Sequence, residues 1–399
     1  MNKIAWIAIG SGLLLQPAIS QALEFEVSGK VGSEITLYTD KGQFADQDYR
    51  SNISFSVQPE FYWSWNNGQD NLTFQPFLRK DQRDGKRSHG DIRELSWVHL
   101  GEDWELRTGL RKVFWGVTEF QNLVDVINQK DIVEGLDNEN KLGQPMVNLS
   151  LVKGWGIVDF YVLPGFREQT YVGQNGRLRA GLVVDSDETS YQSSRDDKHV
   201  DLALRWSHSV DVFDIGAHWY KGTDRSPQYT AINKNGQQVL KAHYQQIEQA
   251  GVDLQATIDS WLFKGEVIYQ DNPVEDYWAS QLGVEYTFYG IGETQTDLGV
   301  LLEYGKDQRG KRANAIMQND VGIGARLEFN DTQSSSLLAG VIHDLDYNSN
   351  SVSVEAERRL GEDWKLSVEA RAFSVGKQQD PLSNFDQDDF VKITLNRYF

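Results

Sequence analysis

The side chains that most often do chemistry are scattered along this sequence. Its seven histidines show no HExxH spacing for zinc, and no GxSxG segment marks a nucleophilic serine. Cysteine is absent, which excludes disulfides, thiolate metal sites and thiol nucleophiles. Ser207 and His208 are adjacent, but neighbouring residues of a strand face opposite sides and cannot act on one substrate. We therefore predict no catalytic site, no metal site and no cofactor.

Charged residues instead recur at every second position of apolar segments. Val200, Leu202 and Leu204, for example, alternate with the charged residues Asp201 and Arg205. A period of two indicates a strand with one apolar and one polar face, and ionisable groups in a membrane-spanning structure must face a wet or paired interior. The residues predicted to line such an interior are Arg79, Arg107, Arg111, Arg205, Arg326, Arg371, Glu60, Asp201, Glu285 and Glu328. Either these charges line a water-filled channel, or they pair with one another and fill a narrow barrel.

Composition bounds the class of protein. The net charge of −19 argues against nucleic acid as a partner. The mean hydropathy of −0.52 is that of a soluble chain, and after residue 22 no run of about 18 apolar residues indicates a membrane helix. A membrane-spanning β-barrel passes this test equally well, because only every second residue of its strands meets lipid.

The first 22 residues have the order of a secretory signal peptide. A short positive start, Met1 to Lys3, precedes an apolar run over 4–15, and small residues occupy Ser20 and Ala22 before Leu23. This pattern predicts export and cleavage after Ala22, with residues 23–399 as the mature domain.

The remaining chain predicts an all-β fold of about 18 strands, with 16 as the alternative. Many alternating segments run for about 9–13 residues, the length that a tilted strand needs to cross a bilayer. Short turns alternate with long loops, as in an antiparallel up-and-down transmembrane barrel with short periplasmic turns and long outer loops. The predicted strands lie near 24–40, 51–66, 71–81, 89–100, 104–115, 146–153, 156–164, 198–209, 211–222, 245–259, 261–271, 278–290, 296–307, 319–330, 334–345, 350–360, 364–375 and 388–399.

The last predicted strand carries a family resemblance. Val391, Ile393 and Leu395 alternate with polar residues, and the strand closes on Tyr398 and Phe399. It resembles the terminal strand of Gram-negative outer-membrane porin-like β-barrels, although Arg397 stands where those strands usually keep an apolar residue. The run from 111 to 146 also resembles a group of uncharacterised proteobacterial outer-membrane proteins. The resemblance implies localisation in the outer membrane, contact with its lipid and lipopolysaccharide, and assembly by the barrel machinery.

The connection over 116–145 differs from a plain loop. Thr118 is placed to cap a short helix in which Phe120, Leu123, Val124 and Ile127 recur at helical spacing. The segment follows the fifth predicted strand, and in this it resembles the porin loop that folds inward and narrows the barrel. Asp125, Asp131 and Glu134 would then set a negative field at the constriction. The alternatives are a helix packed on the outer rim and a miscounted strand.

Two functions from different classes are consistent with these patterns. The first is a channel for passive diffusion of a small polar or amphipathic solute, constricted by the loop at 116–145. The second is a closed or plugged barrel that acts as a surface receptor, adhesin or envelope structural protein through its outer loops. The sequence leaves the solute and the oligomeric state open.

Overall fold

The structure, a computed structural model, describes residues 23–135 and 140–399, and the predicted signal peptide lies outside them. The first eleven strands are β1 (Glu24–Tyr38), β2 (Ser51–Trp65), β3 (Asp70–Asp81), β4 (Gly90–Leu100), β5 (Trp104–Arg111), β6 (Gln144–Lys153), β7 (Gly156–Pro164), β8 (Ser190–Tyr191), β9 (Val200–Val210), β10 (Phe213–Thr223) and β11 (Gln228–Lys234). The remaining strands are β12 (Gln237–Tyr244), β13 (Gln246–Ile258), β14 (Trp261–Asp271), β15 (Tyr277–Phe288), β16 (Asp297–Asp307), β17 (Asn319–Glu328), β18 (Ser336–Asp344), β19 (Asn350–Leu360), β20 (Trp364–Ser374) and β21 (Phe390–Tyr398).

Six short 3-10 turns lie in the loops. They span Ala45–Gln47, Ser186–Glu188, Asp196–Lys198, Ile291–Glu293, Gly310–Arg312 and Pro381–Phe385. Across the described ranges no helix is long and apolar enough to cross a membrane.

Eighteen of the strands form one closed antiparallel barrel, which confirms the predicted fold class and strand number. The barrel closes between its first and last strands, where Lys30 pairs with Tyr398 and Tyr38 pairs with Phe390. The backbones of Gly29 and Phe399 exchange two hydrogen bonds, of 3.0 and 3.1 Å, at the end of this seam. The C-terminal alternating strand therefore seals the barrel.

The two rims differ in their connections. The start of β1 and the end of β21 lie at the rim with the short turns, such as the β2–β3 turn, where Asn66 and Asn67 adopt a φ of 55°. The long connections lie at the other rim, among them residues 112–143, 165–189 and 224–227 with the hairpin that follows. Short turns at one rim and long loops at the other are typical of outer-membrane barrels.

The pleat separates two faces of different chemistry. Phe55, Phe160, Val252 and Leu282 are among the large apolar side chains exposed on the outside of the barrel. Their strand neighbours on the other face are polar and mostly buried or half-buried, as Ser54 is. An apolar outer band around a polar interior is the pattern required of a barrel in lipid.

The loops near 165–196 and 223–243, which the sequence pattern left without strands, contain a small second sheet. β11 and β12 form a hairpin, and β12 pairs in parallel with β8. The hairpin turns at Asn235 and Gly236, which adopt φ values of 54° and 87°. Asn-Gly between alternating residues is a strong hairpin signal, and it identifies this element in retrospect.

Candidate functional site: the barrel lumen and its inner loop

Residues 112–143, hereafter the inner loop, leave the rim after β5 and enter the lumen. Trp115, Val124 and Ile127 of this loop are buried against wall residues of β6 to β15. The wall side of this apolar cluster consists of Met146, Tyr161, Leu163, Ala203, Tyr220, Ile247, Ile268, Tyr277 and Ala279. The inner loop is therefore packed onto one side of the barrel, which we call the packed wall (β6 to β18).

Two wall glutamates hold the inner loop by its backbone. Glu266 of β14 is 0% exposed and accepts hydrogen bonds from the backbone N–H groups of Val117 and Leu123 at 2.7 and 2.6 Å. Thr118 and Val124 donate three further bonds to the same carboxylate. Hydrogen bonds to a charged group in a buried setting are stronger than those between neutral groups. Glu266 thus acts as an anchor that fixes the path of the chain.

Glu303 of β16 is the second anchor. It is buried and accepts from the backbone N–H groups of Glu119 and Phe120 at 2.7 and 3.1 Å. The Phe120 ring lies over Gly322 of β17, where an added Cβ would come within 2.4 Å of the ring. A side chain at that wall position would push the loop off the wall.

The helix predicted to begin at Thr118 is wrong. Within 112–135 the structure has bends and turns but no helix. The physical reason is that the N–H groups of Leu123 and Val124, which in a helix would donate to backbone carbonyls four residues earlier, donate to Glu266 instead. Those of Val117 and Thr118 bind the same carboxylate. The apolar residues at helical spacing instead reach the wall from an irregular chain.

The three carboxylates predicted to set a negative field are all paired with bases. Asp125 forms an ion pair with Lys141, and Asp131 with Arg93 at 2.5 Å. Glu134 contacts Arg79 and His89, both at 2.8 Å. Each of these acids therefore has a base in direct contact with it.

The environment of Glu134 holds it ionised. Burial acts to raise the pKa of Glu134, but the hydrogen bond to His89 and the charges of Arg79, Arg87 and Arg93 outweigh it and lower the pKa to about 2. The tip of the inner loop is thus tied electrostatically to β3 and β4, opposite the packed wall.

A cavity of about 230 Å³ remains between the inner loop and the strands opposite the packed wall. Its wall belongs to β1 to β4 and β21, and we call this side, together with β20, the open wall. The residues lining the cavity are Lys30, Gly32, Glu34, Ser56, Gln58, Phe77, Arg79, Arg93, Lys112, Glu134, Asn140, Lys141, Thr394 and Asn396. A second cavity of about 80 Å³ shares Glu34 and Glu134 with it and extends toward the long-loop rim past Tyr38, Tyr49 and Arg177.

The ten predicted lining residues all lie on the inward face by cross-strand register, but in different settings. Arg79 and Arg371 border the two cavities. Asp201 is 0% exposed and binds Tyr220 and Arg225 within the packed wall. The other seven predicted residues also face inward, as their cross-strand partners show. They are Glu60, Arg107, Arg111, Arg205, Glu285, Arg326 and Glu328.

Most of these remaining residues have polar partners within the barrel. Arg205 makes a bidentate pair with Asp253 at 2.7 and 2.8 Å. Arg326 binds Glu119 of the inner loop at 2.5 Å, and Glu285 lies 3.5 Å from Lys264. Arg107 contacts Glu105, and Glu60 accepts a hydrogen bond from Gln75. Arg371, beside the smaller cavity, contacts Glu355 and Glu369.

The alternation of the sequence also places Glu266 and Glu303 on the inward face, but it does not predict that they anchor the inner loop. It gives no role to Lys30, which shares the face of Glu34 in β1. The available signal was a carboxylate facing inward beside an apolar inward neighbour, as Glu266 is beside Ile268 and Glu303 beside Leu301. Such a group needs donors from elsewhere in the chain.

A second long loop covers the barrel mouth. Residues 165–189 start at β7, and their tip reaches the loops beside β1 and β21. The Arg177 side chain is 0% exposed, forms an ion pair with Asp388, and donates to the backbone oxygens of Asp40 and Tyr49 at 3.1 and 3.0 Å. Gln47 donates to Gly176 O at 2.5 Å. We call this tip, residues 173–181, the latch.

Comparison with known proteins identifies only the fold. No protein-family model matches the chain, and no curated protein matches it. Among solved structures, it is similar to Wzi of Escherichia coli, an outer-membrane protein involved in group 1 capsule assembly and described as a carbohydrate-binding β-barrel. The identity is 10%, with 94% of this chain and 84% of that chain covered, and the TM-score is 0.51.

Two further neighbours are a loop-deletion mutant of OmpT, an outer-membrane protein of Vibrio cholerae, and a mutant of the Rh. blastica porin. Identity to OmpT is 10%, coverage is 95% of this chain and 100% of that chain, and the TM-score is 0.47. For the porin the identity is 9%, coverage is 94% of this chain and 100% of that chain, and the TM-score is 0.44. Together with the closed antiparallel sheet of eighteen strands, the likeness to Wzi shows that this chain has the fold of the outer-membrane β-barrels.

Proposed function

We propose that this protein is an outer-membrane channel for passive diffusion of small polar or amphipathic solutes, constricted by the inner loop. The observation that carries the proposal is the polar cavity that remains beside that loop: its apolar segment packs against β6 to β15, and its tip lines the cavity together with β1 to β4 and β21. A barrel of 16–18 strands is wide enough to enclose an aqueous path. A loop that leaves such a cavity narrows the path without filling the barrel.

The cellular setting is part of the proposal. The signal peptide would direct export, the barrel assembly machinery would insert the chain, and the apolar outer band would contact outer-membrane lipid and lipopolysaccharide. We assign no catalytic role, because the histidines are dispersed over separate strands and loops.

The test is planar-bilayer conductance of refolded residues 23–399 beside an anchor variant, Glu266→Gln/Glu303→Gln. Each amide would turn an N–H donor toward loop N–H groups, so the loop should detach from the packed wall. We expect stable conductance steps from the unaltered protein, and larger, noisier steps from the anchor variant. The matched control, Glu60→Gln/Glu328→Gln, removes the same number of lumen charges without touching the inner loop and should keep steps close to those of the unaltered protein.

A second candidate function is a plugged barrel that acts as a surface receptor, adhesin or envelope structural protein. It is favoured by the latch, which crosses the mouth and buries Arg177 among the loops beside β1 and β21. No conductance from the unaltered protein, together with conductance from the anchor variant, would favour this candidate. Silence from both proteins would contradict the channel.

A further inference from the structure

The larger cavity is lined by two ammonium groups that have no direct partner among the described residues. Lys30 of β1 and Lys112 at the start of the inner loop both line the larger cavity. Neither has a hydrogen bond or an ion pair with any residue in 23–135 or 140–399. Lys112 also repels Lys30 electrostatically, and Arg79 and Arg93 add to that repulsion. Two ammonium groups thus face the cavity without a direct ion-pair partner among the described residues, although Glu94, Asp91 and Asp131 act on Lys112 from a distance.

The other bases of this wall are already engaged. Arg79 binds Glu34 and Glu134, and Arg93 binds Asp91 and Asp131. The pair of Lys141 with Asp125 is likewise complete. The five bases of the lining and the five acids named here balance in number, but the acids contact Arg79, Arg93 and Lys141, so the positive potential is concentrated at Lys30 and Lys112. The low-dielectric barrel wall strengthens that potential along the path.

The remaining lining can bind a hydroxylated solute. Ser56, Gln58, Thr394 and Asn396 present hydroxyl and amide groups to the same space, and Phe77 adds a small apolar surface. The volume of about 230 Å³ exceeds the roughly 150 Å³ that encloses a benzene ring. A small sugar acid or sugar phosphate fits this size and this set of donors.

We propose that the cavity at Lys30 and Lys112 is a binding station for small hydroxylated organic anions that carry a carboxylate or a phosphate, and that the channel therefore selects anions. The inference rests on the proposed channel function. It runs against the net charge of the chain, −19, because the local charge along the path, and not the total, decides which ion enters.

The experiment measures the reversal potential in a KCl gradient, and then the block of chloride current by gluconate, by glucose 6-phosphate and by neutral glucose. We expect an anion-selective reversal potential, block by both anions and no block by glucose. In Lys30→Gln/Lys112→Gln the reversal potential should move toward cation selectivity. The apparent Kd for the blocking anions should rise about tenfold or more, as loss of two charge-assisted contacts implies.

Two variants serve as controls. Lys80→Gln/Lys306→Gln removes the same total charge from side chains on the outward face and should leave selectivity unchanged. Lys30→Arg/Lys112→Arg keeps the positive charge and should retain anion selectivity. If the protein conducts but is cation-selective, or if glucose and gluconate block equally, the proposed anion-binding site is contradicted and the proposed channel function is not. Absence of conductance would overturn the channel itself.

Discussion

The packed wall and the open wall of this barrel use the same polar residue types for opposite purposes. On the packed wall, Glu266 and Glu303 are held by backbone N–H groups of the inner loop, inside an apolar cluster. On the open wall, Glu34 of β1 contacts Arg79 and Arg87 beside a cavity. The inner-loop residue Glu134 reaches the same wall and contacts His89. The first arrangement fixes a loop in a dry interior, and the second keeps charge next to water.

The difference teaches that alternation alone does not define a pore. The inward face of this barrel carries polar, small and large apolar side chains, and the part that borders the larger cavity is the part that the apolar segment of the docked loop leaves uncovered. Which part remains wet depends on where the loop finds apolar wall residues and buried acceptors. Substitutions on each wall test that contrast, and we expect the greatest loss of stability on the packed wall.

Removing the aromatic side chain by which the inner loop packs on this wall should cause the greatest loss of stability. Trp115 is 4% exposed, lies edge-on to Tyr161 at 5.7 Å, and has Arg205 over its ring at 5.2 Å. Trp115→Ala should lower the free energy of unfolding by about 3–5 kcal/mol, the usual cost of an emptied aromatic site. Urea unfolding in detergent micelles measures it. The neighbouring residue Phe114 is 60% exposed, so Phe114→Ala should cost far less, and equal costs would contradict the packed-wall assignment.

Loosening the latch should have a smaller and local effect. Arg177→Met leaves the Asp388 carboxylate with only the backbone N–H of Leu178 as a donor, at 2.9 Å. We expect hydrogen exchange over residues 173–181 to accelerate by an amount equivalent to about 3 kcal/mol, the lower end for breaking a buried ion pair. Arg195→Met, an exposed residue at the same rim, is the control and should change nothing. If the open wall is covered from outside by the latch, conductance should also rise in Arg177→Met.

The tip of the inner loop should be sensitive to strong acid only. Because the pKa of Glu134 is lowered to about 2, its contacts contribute stability that is complete above its ordinary value of 4.5 and is lost as pH falls toward 2. Loss of at most about 2–3 kcal/mol is expected across that window. Hydrogen exchange of residues 131–135, corrected for the intrinsic pH dependence, should be flat from pH 7 to 5 and rise below. Glu134→Gln should remove the dependence, and an unchanged profile in that variant would contradict the assignment.

Neutralising the unpaired lysines should cost almost nothing in stability. Lys30→Gln and Lys112→Gln remove mutual repulsion and break no described ion pair. We expect a change in the free energy of unfolding within about 0.5 kcal/mol, as for surface substitutions away from structural contacts. A loss comparable to that of Trp115→Ala would mean that these lysines belong to the packed interior and not to a wet path.

Much of the fold could be predicted from local pattern. A period of two identifies the eighteen barrel strands and their inward faces, and the sequence of short and long connections determines their order. It does not identify β8, β11 and β12 of the second sheet. Asp201 shows the limit of this reasoning: its inward orientation was predictable, but its burial under Tyr220 and Arg225 was not. Burial depends on a loop that arrives from a distant part of the chain.

The inner loop shows why the rest could not be predicted. Its apolar spacing favours a helix, but Glu266 lies about 140 residues away in sequence and takes the N–H groups of Leu123 and Val124 that a helix would use. Only closure of the barrel brings the two together. The pairing of Asp125, Asp131 and Glu134 with Lys141, Arg93 and Arg79 depends on the same long-range arrangement.

Cysteine modification during single-channel recording tests the central claim, that the solute path follows the open wall, most directly. The chain has no native cysteine, so one introduced thiol gives an unambiguous signal. Ser56→Cys places it in the cavity of the open wall, and Ala279→Cys places it under the packed wall, where Ala279 is 3% exposed. We expect a water-soluble methanethiosulfonate reagent to reduce conductance through Ser56→Cys and to leave Ala279→Cys unchanged. The reverse pattern would contradict the account.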